Sequence, residues 1–178
     1  MLPGDSNMKR EKWFDRKFKL DLPDDKVEQV LKRLAETPGR IRNSVKNVPE
    51  ELLNKKPGGK WSIKENIGHL VDLEELHSGR IDDFIDGKKI LRPADLQNKK
   101  TEIANHNNKT IDQLIDGLKN VREDFLKRFK SLNTEMLNRK SVHPRLNQQM
   151  RPVDMAYFVA EHDDNHIEII KEIIHDNQ

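Results

Sequence analysis

Met155-Ala156-Tyr157-Phe158-Val159-Ala160-Glu161-His162-Asp163-Asp164-Asn165-His166-Ile167-Glu168-Ile169-Ile170-Lys171-Glu172-Ile173 is the stretch that decides the fold. Met155, Val159, Ile169 or Ile170, and Ile173 recur in steps of three and four, the spacing that lines one face of an α-helix. His162 and His166 fill the two remaining places in that stripe, where a helical bundle ordinarily carries Leu or Ile. At i and i+4 their Cβ atoms stand roughly 6 Å apart on one face. Imidazoles turned into a core need partners for both ring nitrogens, and a transition metal would supply one. Pro152 is expected at the first helical position, so this helix should run to about His175.

Three further amphipathic segments lie upstream. One opens at Asp24 or Asp25 after Pro23, with Val27, Val30, Leu31 and Leu34 on its apolar face. Thr37-Pro38 predicts a kink or a fresh start, after which Ile41 and Val45 continue the stripe. Ser62-Ile63-Lys64-Glu65 reads as a capping box, opening a long helix through Ile67, Leu70, Leu73, Ile81, Phe84 and Ile85 that Gly87 ends. Another helix is expected from about Asn108 to Phe129, carrying Ile111, Leu114, Ile115, Leu118, Val121, Phe125 and Leu126. Pro49 to Leu53 predicts one short turn, and Pro57-Gly58-Gly59 a break. Residues 88 to about 106 and the loop from Ser141 to Arg151 read as long polar connections. No useful period-2 alternation occurs, so no sheet is expected. The fold class is therefore all-α, a four-helix bundle with long inter-helix connections that permit crossovers. Residues 1–22 read as an N-terminal arm tied down by Trp13, Phe14 and Phe18, and residues 23–178 as a single domain.

Composition narrows the chemistry. Thirty-three basic and 31 acidic residues leave a net charge of +2, with the signs mixed along the chain. That excludes the basic stripe of a dedicated nucleic-acid binder, and Lys88-Lys89 and Lys99-Lys100 read as solvated loop charges. With no cysteine, a disulfide scaffold, a thiolate zinc site and a cysteine nucleophile are all ruled out, so any metal must be held by His, Asp or Glu. No signal core and no run of about 18 apolar residues is present, so a cytoplasmic protein without a membrane partner is expected.

In a chain with seven histidines, chance supplies about 0.3 His-x-x-x-His pairs, so the spacing gains its weight from the seam it sits in. A catalytic ion usually takes three protein ligands plus an open position. The second long helix offers two candidates for the third. Rotation by 100° per residue puts His77 near the centre of the apolar arc and His69 near its edge, which slightly favours His77 as buried but does not decide between them. His106, His143 and His175 read as surface or structural residues. Asp72, Asp163 and Glu65 could orient imidazoles, although Glu65 already serves as a cap and Asp163 could equally face water. His143 and Arg145 lie in the loop before the last helix and could reach a pocket mouth.

Two motifs carry a resemblance that bears on this choice. Gly59-Lys60-Trp61-Ser62-Ile63-Lys64-Glu65-Asn66-Ile67-Gly68-His69-Leu70 resembles the Trp-Ser-x-Lys-Glu-x-x-x-His-Leu opening of the second helix in the DinB-like superfamily, also called the YfiT-like metal-dependent enzymes. Ala160-Glu161-His162-Asp163-Asp164-Asn165-His166-Ile167 resembles that family's His-Asp-x-x-His element. The resemblance spans about residues 22–176 and implies a metal triad of His69, His162 and His166, leaving His77 as a buried or groove residue. It further implies a four-helix bundle holding a divalent ion, zinc or nickel, beside an open pocket for a small-molecule substrate. Members of the superfamily use low-molecular-weight thiols in transfers and isomerisations, and dimers are common among them. The expected function is thus a metal-dependent enzyme, foremost a thiol-dependent S-transferase, with a metal-dependent hydrolase or a non-catalytic metal- or ligand-binding bundle as alternatives.

Overall fold

The computed structural model describes residues 11–177. Seven α-helices follow in chain order: α1 (Val27–Val45), α2 (Glu50–Asn54), α3 (Ile63–Ile85), α4 (Lys99–Ile103), α5 (Ile111–Lys130), α6 (Thr134–Leu137) and α7 (Pro152–His175). The four long ones form the bundle. α3 packs on α5 and α7, and α1 packs on α5 and α7, so the order around the ring is α1–α5–α3–α7. Two successive pairs of long helices, α1 with α3 and α5 with α7, thus face one another diagonally, while α3 and α5 are neighbours, and the long connections permit this order. No helix among the described residues is long and apolar enough to cross a membrane.

Local chemistry sets the helix ends. The Ser62 hydroxyl accepts from Glu65 N (3.1 Å) and Glu65 Oε2 accepts from Ser62 N (2.8 Å), the predicted capping box. Gly87 closes α3 at φ 66, where its N–H reaches Phe84 O and Lys88 N reaches Asp83 O, a Schellman ending. α5 begins later than the sequence suggested, because Thr110 and Gln113 form a second capping box. α1 runs through Pro38 without restarting. Proline removes the N–H that Leu34 O would have received, and Arg122 Nη1 donates to that carbonyl instead (3.3 Å).

The core has two apolar clusters with a polar layer between them. Leu34, Ile81, Phe125 and Val159 belong to one cluster, and Ile41, Leu70, Leu118 and Ile170 to the other. Among the buried polar residues between these positions, Thr37, Glu74, Arg122 and Asp163, one from each long helix, form a connected layer. Arg122 donates to Asp163 (2.6 and 3.2 Å) and to Glu74 (2.8 Å), and Thr37 Oγ1 donates to Asp163 (2.8 Å). Burial pulls the Arg122 guanidinium down, but the carboxylates of Asp163 and Glu74 outweigh it and hold it above its usual value. Asp163 therefore does not face water; it anchors this layer.

The expectation of no sheet needs a correction. Ser141–His143 and Gln148–Met150 pair antiparallel, and Ile90 bridges to Val142. Each strand is three residues long, too short for alternation to register as a pattern. The connection at 88–106 is also more ordered than its polarity implied, since it carries α4.

Candidate metal centre

α7 presents His162 and His166, and α3 presents His69, into one place. One ring nitrogen from each lies within 4.8 Å of the others, and all three side chains are buried. A zinc–imidazole bond is about 2.1 Å long, so shifts of about an ångström or less per nitrogen would let one ion share all three. Periodicity left His69 and His77 as alternatives. Both are buried, but only His69 joins the cluster, whereas His77 Nδ1 is paired with Glu74 (3.0 Å).

Hydrogen bonds outside the cluster fix two tautomers. Asn66 Nδ2 donates to Ser62 O (2.8 Å), so its Oδ1 faces His166 Nδ1 at 2.8 Å and must accept. The lone pair of His166 is thereby placed on Nε2. For His69, the Asp72 carboxylate is held below its usual range: its burial pushes it up, but hydrogen bonds from His106 and Thr101 outweigh that. Being ionised, Asp72 only accepts. Thr101 Oγ1 donates to Asp72 Oδ2 (2.9 Å) and therefore accepts from His69 Nδ1 (3.1 Å), which leaves the His69 lone pair on Nε2. His106 Nε2 donates to the same Asp72 oxygen (2.8 Å). This is the histidine-to-carboxylate support common behind metal ligands, here relayed through a threonine.

His162 is different. Its Nδ1 is buried with no hydrogen-bond partner, and coordination through that nitrogen would remove the cost of burying it unpaired. Burial pushes His69 down to about 3, with His166 reinforcing the shift, and pushes His162 well below its usual value, with His69 reinforcing it. His69 and His162 are thus held as neutral imidazoles, the form that binds a metal. The donor set fits a borderline ion such as zinc or nickel.

The cluster opens onto a cavity of about 840 Å³. Aromatic rings guard it: Trp61 lies 4.6 Å from His69, and Trp13 lies 4.9 Å from His162, centroid to centroid. Trp61 is held by a hydrogen bond from Nε1 to Glu102 (2.7 Å). Trp13 and Phe18 pack on Phe158 of α7, while Phe14 is exposed. His77, Arg80, His143 and Arg145 also line the cavity, so the loop residues His143 and Arg145 do reach it.

The remaining sequence candidates separate cleanly. Glu65 caps α3 and pairs with Lys56. Asp72 supports His69 through Thr101, and Asp163 belongs to the polar layer. His106 is buried and structural, and His175 is exposed. Lys88 and Lys100 are half-exposed and pair with Asp83 and Glu75. Sequence reasoning missed Thr101, Asn66 and Trp13 as parts of the site. Asn66 lay inside the quoted motif, but no sequence signal marked Thr101, which reaches His69 only because α4 packs on α3.

Comparison with known proteins agrees with this architecture. No curated protein matches the sequence. A solved structure, YfiT from Bacillus subtilis, described as a probable metal-dependent hydrolase with an unusual four-helix bundle topology, superposes with a TM-score of 0.77. It is 16% identical in sequence, and the match covers 90% of this chain and 92% of that one, which establishes the shared fold. A family model described as the DinB superfamily matches residues 33–170, most of the chain, and the chain belongs to that superfamily.

Proposed function

We propose that His69, His162 and His166 bind one divalent metal ion, zinc or nickel, and that the protein is a metal-dependent enzyme acting on a small molecule in the adjoining cavity. The convergence of three buried imidazoles, two of them locked by Thr101 and Asn66, carries this reading. When bound, the ion would supply Lewis acidity, favouring the deprotonated form of a water or thiol at the site. Three protein nitrogens leave a position for such a ligand. The surrounding residues exclude bulk water on the Trp13 and Trp61 sides and hold the imidazoles in the binding tautomer. His77, with Nδ1 held by Glu74, has Nε2 as the ring nitrogen available to a bound molecule.

Thiol-dependent transfer is the reaction we favour. The chain has no cysteine, so a low-molecular-weight thiol would enter as a cosubstrate, and the cavity is large enough for two small reactants. Hydrolysis is the second reading, favoured by the description of YfiT. A cytoplasmic homodimer completes the proposal, and light scattering of the purified protein tests its stoichiometry.

Elemental analysis of protein purified without chelator should find about one zinc or nickel per chain, lost in His69→Ala and His162→Ala. A content below about 0.1 per chain in the wild type would sink the metal reading. Turnover of electrophiles with and without added thiol separates the two reactions. If water alone matches every thiol tried, transfer is wrong and hydrolysis stands.

A further inference from the structure

The wall of the cavity formed by α3 and the hairpin has too many hydrogen-bond donors. Arg80 is only 2% exposed, and the groups its side chain meets are both neutral: Nε donates to Arg92 O (3.1 Å) and Nη1 faces His143 Nε2 (3.2 Å). On the other side of the His143 ring, the backbone N–H groups of Arg145 and Leu146 both point at Nδ1 (3.3 and 3.2 Å). A neutral imidazole has one lone pair and one N–H. Two backbone donors take the lone pair on Nδ1, so Nε2 carries the hydrogen and faces the Arg80 N–H. Two donors then meet with no acceptor between them. Burial, reinforced by Arg80 and Arg145, keeps this imidazole neutral.

Arg145 adds to the excess. Its guanidinium lies over Trp13, Phe14 and Phe158 at 5.2 to 5.6 Å from the ring centroids, and Nη2 is buried without a partner. Among the described residues, neither Arg80 nor Arg145 has a carboxylate within ion-pair distance, although other buried or half-buried arginines such as Arg122, Arg33 and Arg151 each have one. Asp83, the acid whose charge favours the Arg80 cation, spends its oxygens on Arg92 and Lys88. Of the acids on the cavity lining, Glu102 accepts from Trp61, Asp95 accepts from the backbone of Gln97 and Lys99, and Glu172 and Asp176 lie at the C-terminal end of α7, Asp176 beside His175. A buried cation without a counter-charge is unfavourable unless a ligand supplies one.

We propose that Arg80, His143 and Arg145 form an anion subsite that receives a carboxylate or phosphate group of the substrate. An oxygen seated beside the Arg80 Nη1 and His143 Nε2 pair accepts from both, and a second oxygen accepts from Arg145 Nη2. Guanidinium groups suit such planar, multidentate acceptors. The substrate is thus an anion whose charged end is held on this wall and whose reacting end is held at the histidine cluster. The second half of that statement rests on the metal-enzyme reading; the subsite itself does not.

The test is calorimetric titration of the full-length protein, as purified and after EDTA treatment, with inorganic phosphate and separately with acetate, at constant ionic strength against chloride. We expect saturable binding of at least one of the two, and the preferred anion identifies the group. Arg145→Gln, at a half-buried loop position, should weaken that binding at least tenfold while leaving metal content unchanged. Arg80→Lys, which keeps the charge but loses the fork, should weaken it as well. His166→Ala should lose metal and keep anion binding. Wild-type protein that binds neither anion, or Arg145→Gln and Arg80→Lys proteins that bind as the wild type does, overturns the subsite. So does anion binding that vanishes in His166→Ala, which would place the anion on the metal. Absence of metal from every preparation would defeat the enzyme reading and leave this result intact.

Discussion

Replacing Thr101 with Val tests whether the support behind His69 works as the geometry implies. Valine matches threonine in shape but removes Oγ1, which accepts from His69 Nδ1 (3.1 Å) and donates to Asp72 (2.9 Å). Asp72 keeps its bond from His106, so the carboxylate is not stranded. His69 Nδ1 loses its hydrogen bond to Thr101, and with it the preference for carrying its lone pair on Nε2. Loss of such a support typically costs 10- to 100-fold in metal affinity, about 1.4 to 2.7 kcal/mol. The fold itself should lose roughly 2 to 4.5 kcal/mol, for one neutral hydrogen bond and one to a charged group. Competition titration with a chromophoric zinc chelator measures the affinity, and urea unfolding of the metal-free protein measures the stability. Thr101→Ser keeps the hydroxyl and should stay close to wild type. A Thr101→Val protein that binds zinc within about twofold of wild type would refute the relay, because it would show that His69 is held by packing alone.

Other outcomes follow from the core. Arg122→Met leaves the Glu74 and Asp163 carboxylates buried without their cation and frees Leu34 O, so urea unfolding should show a loss of about 3 to 5 kcal/mol; a loss below about 1 kcal/mol would mean that water compensates the layer. Acid should destabilise the metal-free fold. His69 and His143 sit at about 3 in the folded state, while unfolded histidine titrates near 6.5. The unfolded chain therefore binds the extra protons, and stability is full above about pH 6.5 and falls as pH drops toward about 3, by up to about 1.4 kcal/mol per pH unit for each histidine. His143→Gln should flatten that slope by one proton, read from urea midpoints between pH 7 and pH 4; an unchanged slope would contradict the burial of a neutral His143. Gly68→Ala places a methyl in the His106 ring, which is itself buried against Asp72 and cannot swing away easily, so thermal unfolding should drop by several degrees and zinc affinity should fall with it. Wild-type values for both would show that His106 can move without disturbing His69.

Much of this protein is legible in one dimension. The seam Met155–Val159–Ile170–Ile173 is buried as its spacing required, because a helix turns about 100° per residue whatever surrounds it. The capping box at Ser62, the stop at Gly87 and the proline at the start of α7 are likewise set by backbone groups that neighbouring residues must satisfy. His162 and His166 could be read as an inward pair from the same periodicity. Tertiary structure decided what periodicity cannot carry. Pro38 should have interrupted α1, but Arg122, from a helix 84 positions further on, donates to the freed carbonyl of Leu34. His69 and His77 share an apolar arc, and only the crossed order of the helices turns the first toward α7 and leaves the second to Glu74. Thr101 lies in a polar connection with no pattern to mark it, and it acquires a role because α4 docks beside His69. Local hydrogen bonding and helical phase act over a few residues and can be read from the chain; the partners of a buried polar atom come from wherever packing brings them, and those are settled only when the helices meet.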